Sequence, residues 1–161
     1  MAFAGSPELR SLLQEFVDAR IDAPELFARA GKLLPAGSDV AEEILELLAE
    51  ADQKLRLPAS REAFARRLEQ FAAGEASYTE LDLWCFSLGQ TAPLADDAPL
   101  SPDPEVTLLR ALLDWIEEWE DAAARPAPGE LRELAQILDR EADPLRCLEQ
   151  LEEARARFGR D

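Results

Sequence analysis

The residues best equipped for chemistry are carboxylates, and they come in two groups. Glu42, Glu43 and Glu46 form an EExxE on one amphipathic stretch, and Glu118 and Asp121 form an ExxD on another. On facing helices such groups could surround Mg²⁺, a hard ion that takes oxygen ligands. The same carboxylates could instead meet a basic protein surface. The rest of the catalytic inventory is thin. The chain has no histidine, so the commonest general base and metal ligand is missing. Cys85 and Cys147 have neither zinc-type spacing nor a histidine to activate them. No glycine-rich phosphate loop and no GxSxG turn occurs. These features point away from an enzyme, and no catalytic, cofactor-binding or metal-binding residue is expected.

The charge is segregated. Six acidic residues and no basic one stand between Asp39 and Asp52, and thirteen acids stand between Glu69 and Asp121 against Arg110 alone. These blocks carry −6 and −12 of a net −17, which leaves the rest of the chain near neutrality. An even sprinkling of acid would serve solubility; segregated acid predicts a surface made to meet something positive. Direct nucleic-acid binding is disfavoured, because it needs clustered Lys and Arg. Only Arg155, Arg157 and Arg160 make a locally basic stretch, the usual complement to a helix C-terminus.

Size and composition set further bounds. With 161 residues, of which 47% are apolar, the chain can bury a core and is not a disordered acidic tail. No apolar run approaches the roughly 20 residues of a membrane span. The opening Met1-Ala2-Phe3-Ala4-Gly5 lacks the basic and apolar regions of a signal peptide. The two cysteines fit free thiols in a reducing compartment, with a disulfide as the alternative. The expected location is the cytoplasm.

Start and stop signals predict about eight helices and no strand. The fold class is therefore all-α, a compact bundle or array of antiparallel hairpins in one domain over residues 1–161. Ser6-Pro7, Asp22, Asp39, Ser60, Ser77, Asp103 and Asp143-Pro144 read as helix starts. Pro35, Pro58, Gly74, Gly89 and the run Pro126-Ala127-Pro128-Gly129 read as stops. Residues 90–103, with three prolines and Asp96 and Asp97, form an acidic loop, and the helix after Asp103 is expected to run to about Ala124.

A repeat at an offset of 55 residues sets Leu13-Gln14-Glu15-Phe16 on Leu68-Glu69-Gln70-Phe71, Ala19 on Gly74, and Asp22 on Ser77. Two α-hairpins, 6–57 and 60–89, would be the units, followed by C-terminal helices over 104–161. Chance likeness between amphipathic helix pairs is the other explanation.

Two helices carry the candidate site. From Asp39 onward, Glu42, Glu43, Glu46 and Glu50 face away from the stripe Val40, Ile44, Leu47 and Leu48, with no lysine to relieve their repulsion. In the helix after Asp103, Val106, Leu109, Leu112, Leu113 and Ile116 form the predicted core stripe. Leu108, Trp115 and Trp119 widen it on one flank, and Asp114, Glu117, Glu118 and Asp121 lie beyond. Tryptophan beside carboxylates has the make-up of an interface hot spot; the alternative is a core position covered by a neighbouring helix, an account equally good for Trp115 and slightly better for Trp119. Trp84 follows a core register. The partner-binding candidates are Glu42, Glu43, Glu46, Glu50, Asp96, Asp97, Trp115, Glu117, Glu118 and Asp121.

The stretch from Leu12 to Phe27, LLQEFVDARIDAPELF, resembles the opening hairpin of the small helical bacterial immunity proteins of the colicin D type. Shared elements are an apolar helix ending in Phe16, a short turn with Ile21, and a small or polar pair before Glu25. Leu26 stands where that family has an aromatic residue, with Phe27 next to it. The resemblance implies an acidic, helical, cytoplasmic inhibitor that blocks a basic nuclease toxin by occupying its nucleic-acid site. Other readings of the same acids are a nucleic-acid mimic aimed at host or phage machinery, and a secretion chaperone or adaptor with an exposed apolar groove. The EExxE and ExxD also resemble the motif pair of all-α nucleotide pyrophosphohydrolases of the MazG type, at a wider separation. That resemblance implies Mg²⁺-dependent hydrolysis.

Overall fold

Side-chain caps set where most helices begin, as the sequence predicts. Asp22 accepts from the Glu25 amide at 2.9 Å, Ser60 from Ala63 at 3.2 Å and Ser77 from Glu80 at 3.2 Å. Asp103 accepts from Glu105 at 2.9 Å and Asp143 from Leu145 at 3.1 Å. Each satisfies an amide that the first helical turn leaves without an intrahelical partner.

The computed structural model describes residues 7–37, 39, 40, 42–44, 60–89 and 103–158. Among the described residues the chain is all-α, with seven complete helices, the start of another after Asp39, and no strand. They are α1 (Pro7–Val17), α2 (Ala23–Leu33), α3 (Arg61–Ala72), α4 (Tyr78–Gly89), α5 (Pro104–Glu118), α6 (Pro128–Arg140) and α7 (Pro144–Phe158). A 3-10 turn, Ala122–Ala124, lies between α5 and α6. The helix expected from Asp39 is described only at its start, where Asp39 accepts from the Glu42 amide at 3.2 Å. Its continuation toward Leu57 and the expected loop over 90–102 lie outside the described residues.

The chain divides into two compact units. One comprises the described residues of Met1–Ala59 and Leu83–Pro99. In it α1 packs on α2 through Leu9, Leu12, Leu13, Phe16 and Leu26, all nearly inaccessible to water. Trp84 is buried in the same unit and donates its indole N–H to the Phe16 carbonyl at 2.9 Å. The other unit comprises the described residues of Ser60–Asp82 and Leu100–Asp161. There α3 packs along α6, and α7 packs on both α5 and α6, around Phe64, Leu68, Leu112, Trp119 and Leu134.

The turns after α1 and α3, 55 residues apart in the sequence, make the same backbone hydrogen bonds. Asp18 and Ala73 donate to Gln14 and Glu69 at 2.8 and 2.9 Å. Ala19 and Gly74 donate to Phe16 and Phe71 at 3.0 and 3.1 Å, and Arg20 and Glu75 to Glu15 and Gln70, both at 2.9 Å. Both turns pass through a left-handed residue, Ala19 at φ 61° and Gly74 at φ 76°, and lead into the equivalent caps Asp22 and Ser77. This is the helix-ending geometry that favours glycine. A Cβ on Gly74 would meet nothing within 4 Å, so Gly74→Ala tests conformation alone. It is expected to cost about 1 kcal/mol in urea denaturation. An unchanged midpoint would mean that the turn leaves the left-handed region at no cost.

Two details of α5 differ from expectation. The helix stops at Glu118 rather than near Ala124, because Asp121 accepts from the Ala123 amide at 3.0 Å and opens the 3-10 turn. The Arg125 Nε then donates to the Trp119 carbonyl at 2.7 Å, holding the break. The buried stripe is also rotated toward the tryptophan flank. Leu108, Leu109, Leu112, Trp115, Ile116 and Trp119 are buried, whereas Val106 and Leu113 are half-buried.

Candidate functional site

Carboxylates crowd the wrong end of α5. Asp114, Glu117 and Glu118 lie in its last two turns, Glu120 and Asp121 follow directly, and all five are exposed. A helix C-terminus carries a partial negative charge that favours cations, yet the last turn of α5 holds no basic residue. Glu118 pairs with Arg155 of α7 at 2.5 Å. Asp121 is engaged in its cap. Asp114, Glu117 and Glu120 have no ion pair among the described residues. Helix stability alone does not account for acids placed here.

The fold holds this end of α5 from behind. Tyr78, at the start of α4, donates its hydroxyl at 3.1 Å to the Ile116 carbonyl, which also accepts from the Trp119 amide at 3.0 Å. Arg125 lies 4.6 Å from the centre of the Tyr78 ring while bonding the Trp119 carbonyl. A hydroxyl and a guanidinium thus occupy the backbone acceptors on the inner side, and the carboxylates remain on the outer side.

The two tryptophans are covered. Trp119 is 0% exposed, stacked nearly parallel to Phe71 at 6.4 Å and edge-on to Trp115 at 5.5 Å. Trp115 is 7% exposed; Phe158 stacks on it at 6.4 Å, and the Arg155 guanidinium sits 5.5 Å from its ring centre. In the free protein Trp115 is therefore not presented as an open anchor. The reason is non-local: Phe71 and Phe158 come from α3 and α7, which the periodicity of α5 cannot reveal.

The other candidates divide by position. Glu42 is exposed and Glu43 half-buried at the start of their helix, and neither has an ion pair among the described residues. Glu46, Glu50, Asp96 and Asp97 lie outside the described residues. Among the described residues no group of three or more His, Cys, Asp or Glu side chains could hold a metal ion.

Sequence reasoning missed a second constellation, built on Arg61 at the first position of α3. Its Nε donates to Glu105 at 2.6 Å, Nη2 to the Ala142 carbonyl at 3.0 Å, and Nη1 to the Glu141 carbonyl. One guanidinium ties the starts of α3 and α5 to the turn between α6 and α7. Burial draws its pKa down, but the hydrogen bond and charge of Glu105 more than reverse this, and it stands above the ordinary value. Cys147 lies beside it, fully buried and free; burial pushes the thiol up against the pull of Arg61. Cys85 is half-buried and forms no disulfide. Burial of the Cys147 thiol disfavours the thiolate that nucleophilic attack needs.

An open groove of about 440 Å³ runs beside α3 and α6, with Arg66, Glu69, Glu75 and Arg132 on its walls. Its formal charges balance, and it offers no nucleophile or metal-ligand set. No described helix is long and apolar enough to cross a membrane. No family model, no curated protein and no solved structure matches the chain.

Proposed function

We propose that the protein acts by stoichiometric binding, docking a basic protein partner on the acidic end of α5, and that this partner is a toxin or nuclease neutralised by occlusion of its nucleic-acid site. The observation that carries the reading is the set of exposed carboxylates Asp114, Glu117 and Glu120, placed where the helix dipole disfavours them and with no ion pair among the described residues. A rigid row of carboxylates presents to a phosphate-binding groove a potential like that of nucleic-acid backbone, and it steers a basic partner into encounter. The likeness of residues 12–27 to immunity proteins of the colicin D type supports the same role. The absence of histidine and the raised thiol of Cys147 fit a protein that performs no catalysis of its own. The cytoplasm is the proposed site of action.

The test is capture of a basic nuclease from the source cells at low salt, followed by kinetics with the purified pair. In the triple variant Asp114→Lys, Glu117→Lys, Glu120→Lys, association is expected to slow by roughly tenfold or more at low salt. Its salt dependence should flatten while the melting temperature holds or rises, because all three side chains face water and lysines suit a helix C-terminus. Unchanged association, or no basic partner held at 1:1, would reduce the charge of α5 to a matter of solubility.

A further inference from the structure

We infer that Trp115 and Glu118 form a guanidinium-binding site, held in the free protein by the chain's own Arg155 and taken over by an arginine side chain of a basic partner. The inference rests on the docking reading above and names the chemistry of its principal contact. Arg155 is placed as a bound arginine is placed. Its guanidinium lies 5.5 Å from the Trp115 ring centre, and its Nη2 meets the Glu118 carboxylate at 2.5 Å. A flat, weakly hydrated cation on an indole face, fixed at its edge by a carboxylate, is the arrangement that favours arginine over lysine.

The contact is also easy to exchange. The Arg155 and Glu118 side chains are 48% and 52% exposed, and ion pairs open to water hold loosely. Behind them lies a slot of about 60 Å³ lined by Ala111, Trp115, Leu148 and Glu152, which would receive the methylenes of an incoming side chain. Glu152 lines the slot, Glu118 pairs with Arg155, and exposed Asp114 sits one turn before Glu118, so carboxylates surround the position that Arg155 holds. An arriving guanidinium takes the ring and Glu118. Arg155 then turns to Glu152, three residues back on the same helix and able to pair with it there. The burial of Trp115 thus depends partly on a mobile cover, which reconciles a covered tryptophan with a binding role.

The test uses the full chain, labelled with ¹⁵N and titrated with hexa-arginine and, separately, hexa-lysine. The readout is the indole N–H resonance of Trp115, identified by its loss in Trp115→Phe. Hexa-arginine is expected to shift that resonance and to bind several-fold more tightly than hexa-lysine. Arg155→Gln removes the internal competitor and should tighten hexa-arginine binding about fivefold. Arg146→Gln removes the same charge from an exposed position of α7 and should change binding by less than about twofold. Equal tightening in both variants, or equal affinity for the two peptides, overturns the site. Peptide binding without a Trp115 shift also overturns it, yet leaves the docking reading standing. A normal Trp115 titration in a protein that captures no basic partner would do the reverse.

Discussion

Trp119→Ala is expected to lower the unfolding free energy by about 3–5 kcal/mol, the range for emptying a large aromatic site in a packed core. The ring is 0% exposed, lies against Phe71 at 6.4 Å and supports Trp115 from below at 5.5 Å. Its indole N–H is buried with no hydrogen-bond partner among the described residues, so the alanine variant loses packing rather than a polar bond. That gives the experiment an internal control. Trp119→Phe keeps most of the ring and removes the unsatisfied N–H, and should cost no more than about 1.5 kcal/mol. Urea denaturation decides: the midpoint should fall far in the alanine variant and little in the phenylalanine variant, with the slope unchanged. Similar losses in both would show that the N–H, not the ring volume, matters at this position.

What could be read in advance follows the range of the interactions. The caps at Asp22, Ser60, Ser77, Asp103 and Asp143 each act over two or three residues, and local signals placed those helix starts correctly. The repeated turn was visible as an offset because Ala19 and Gly74 hold matching places, though only backbone geometry shows that both are left-handed. The end of α5 was misplaced for a physical reason. Ala122–Ala124 are strong helix formers, but the Asp121 cap and the Arg125 bond to Trp119 outweigh their propensity.

The candidate site divides in the same way. Its carboxylates could be read from residue type and spacing alone. The Arg155 partner of Glu118, 37 residues away, could not, and that pairing turns a plain acidic end into a site with an occupant. Arg155 and Arg157 had an adequate local account as cations at a helix C-terminus, which concealed their reach to Glu118 and Glu133.

A long-range clasp, reaching 81 residues to Ala142, underlies the second large loss, expected at Arg61. Arg61→Ala should destabilise the protein by about 2–4 kcal/mol, since it strands Glu105 and two backbone carbonyls at once. The upper part of the range is tempered because the two side chains are 18% and 33% exposed, so water can satisfy some of what is left. Arg61→Lys should recover only a minor share: a single ammonium cannot span a carboxylate and two carbonyls that one planar fork reaches together. Denaturation of both variants tests this, and near-wild-type stability in the lysine variant would show that charge alone suffices.

Partner binding adds a second readout to the same variants. Glu105 lies in the first turn of α5, so Arg61 fixes one end of the helix whose other end carries the proposed docking face. If the clasp serves stability alone, the folded fraction of Arg61→Ala should bind the partner with wild-type affinity. A larger loss would mean that the pairing at the start of α5 also aims the carboxylates at its end.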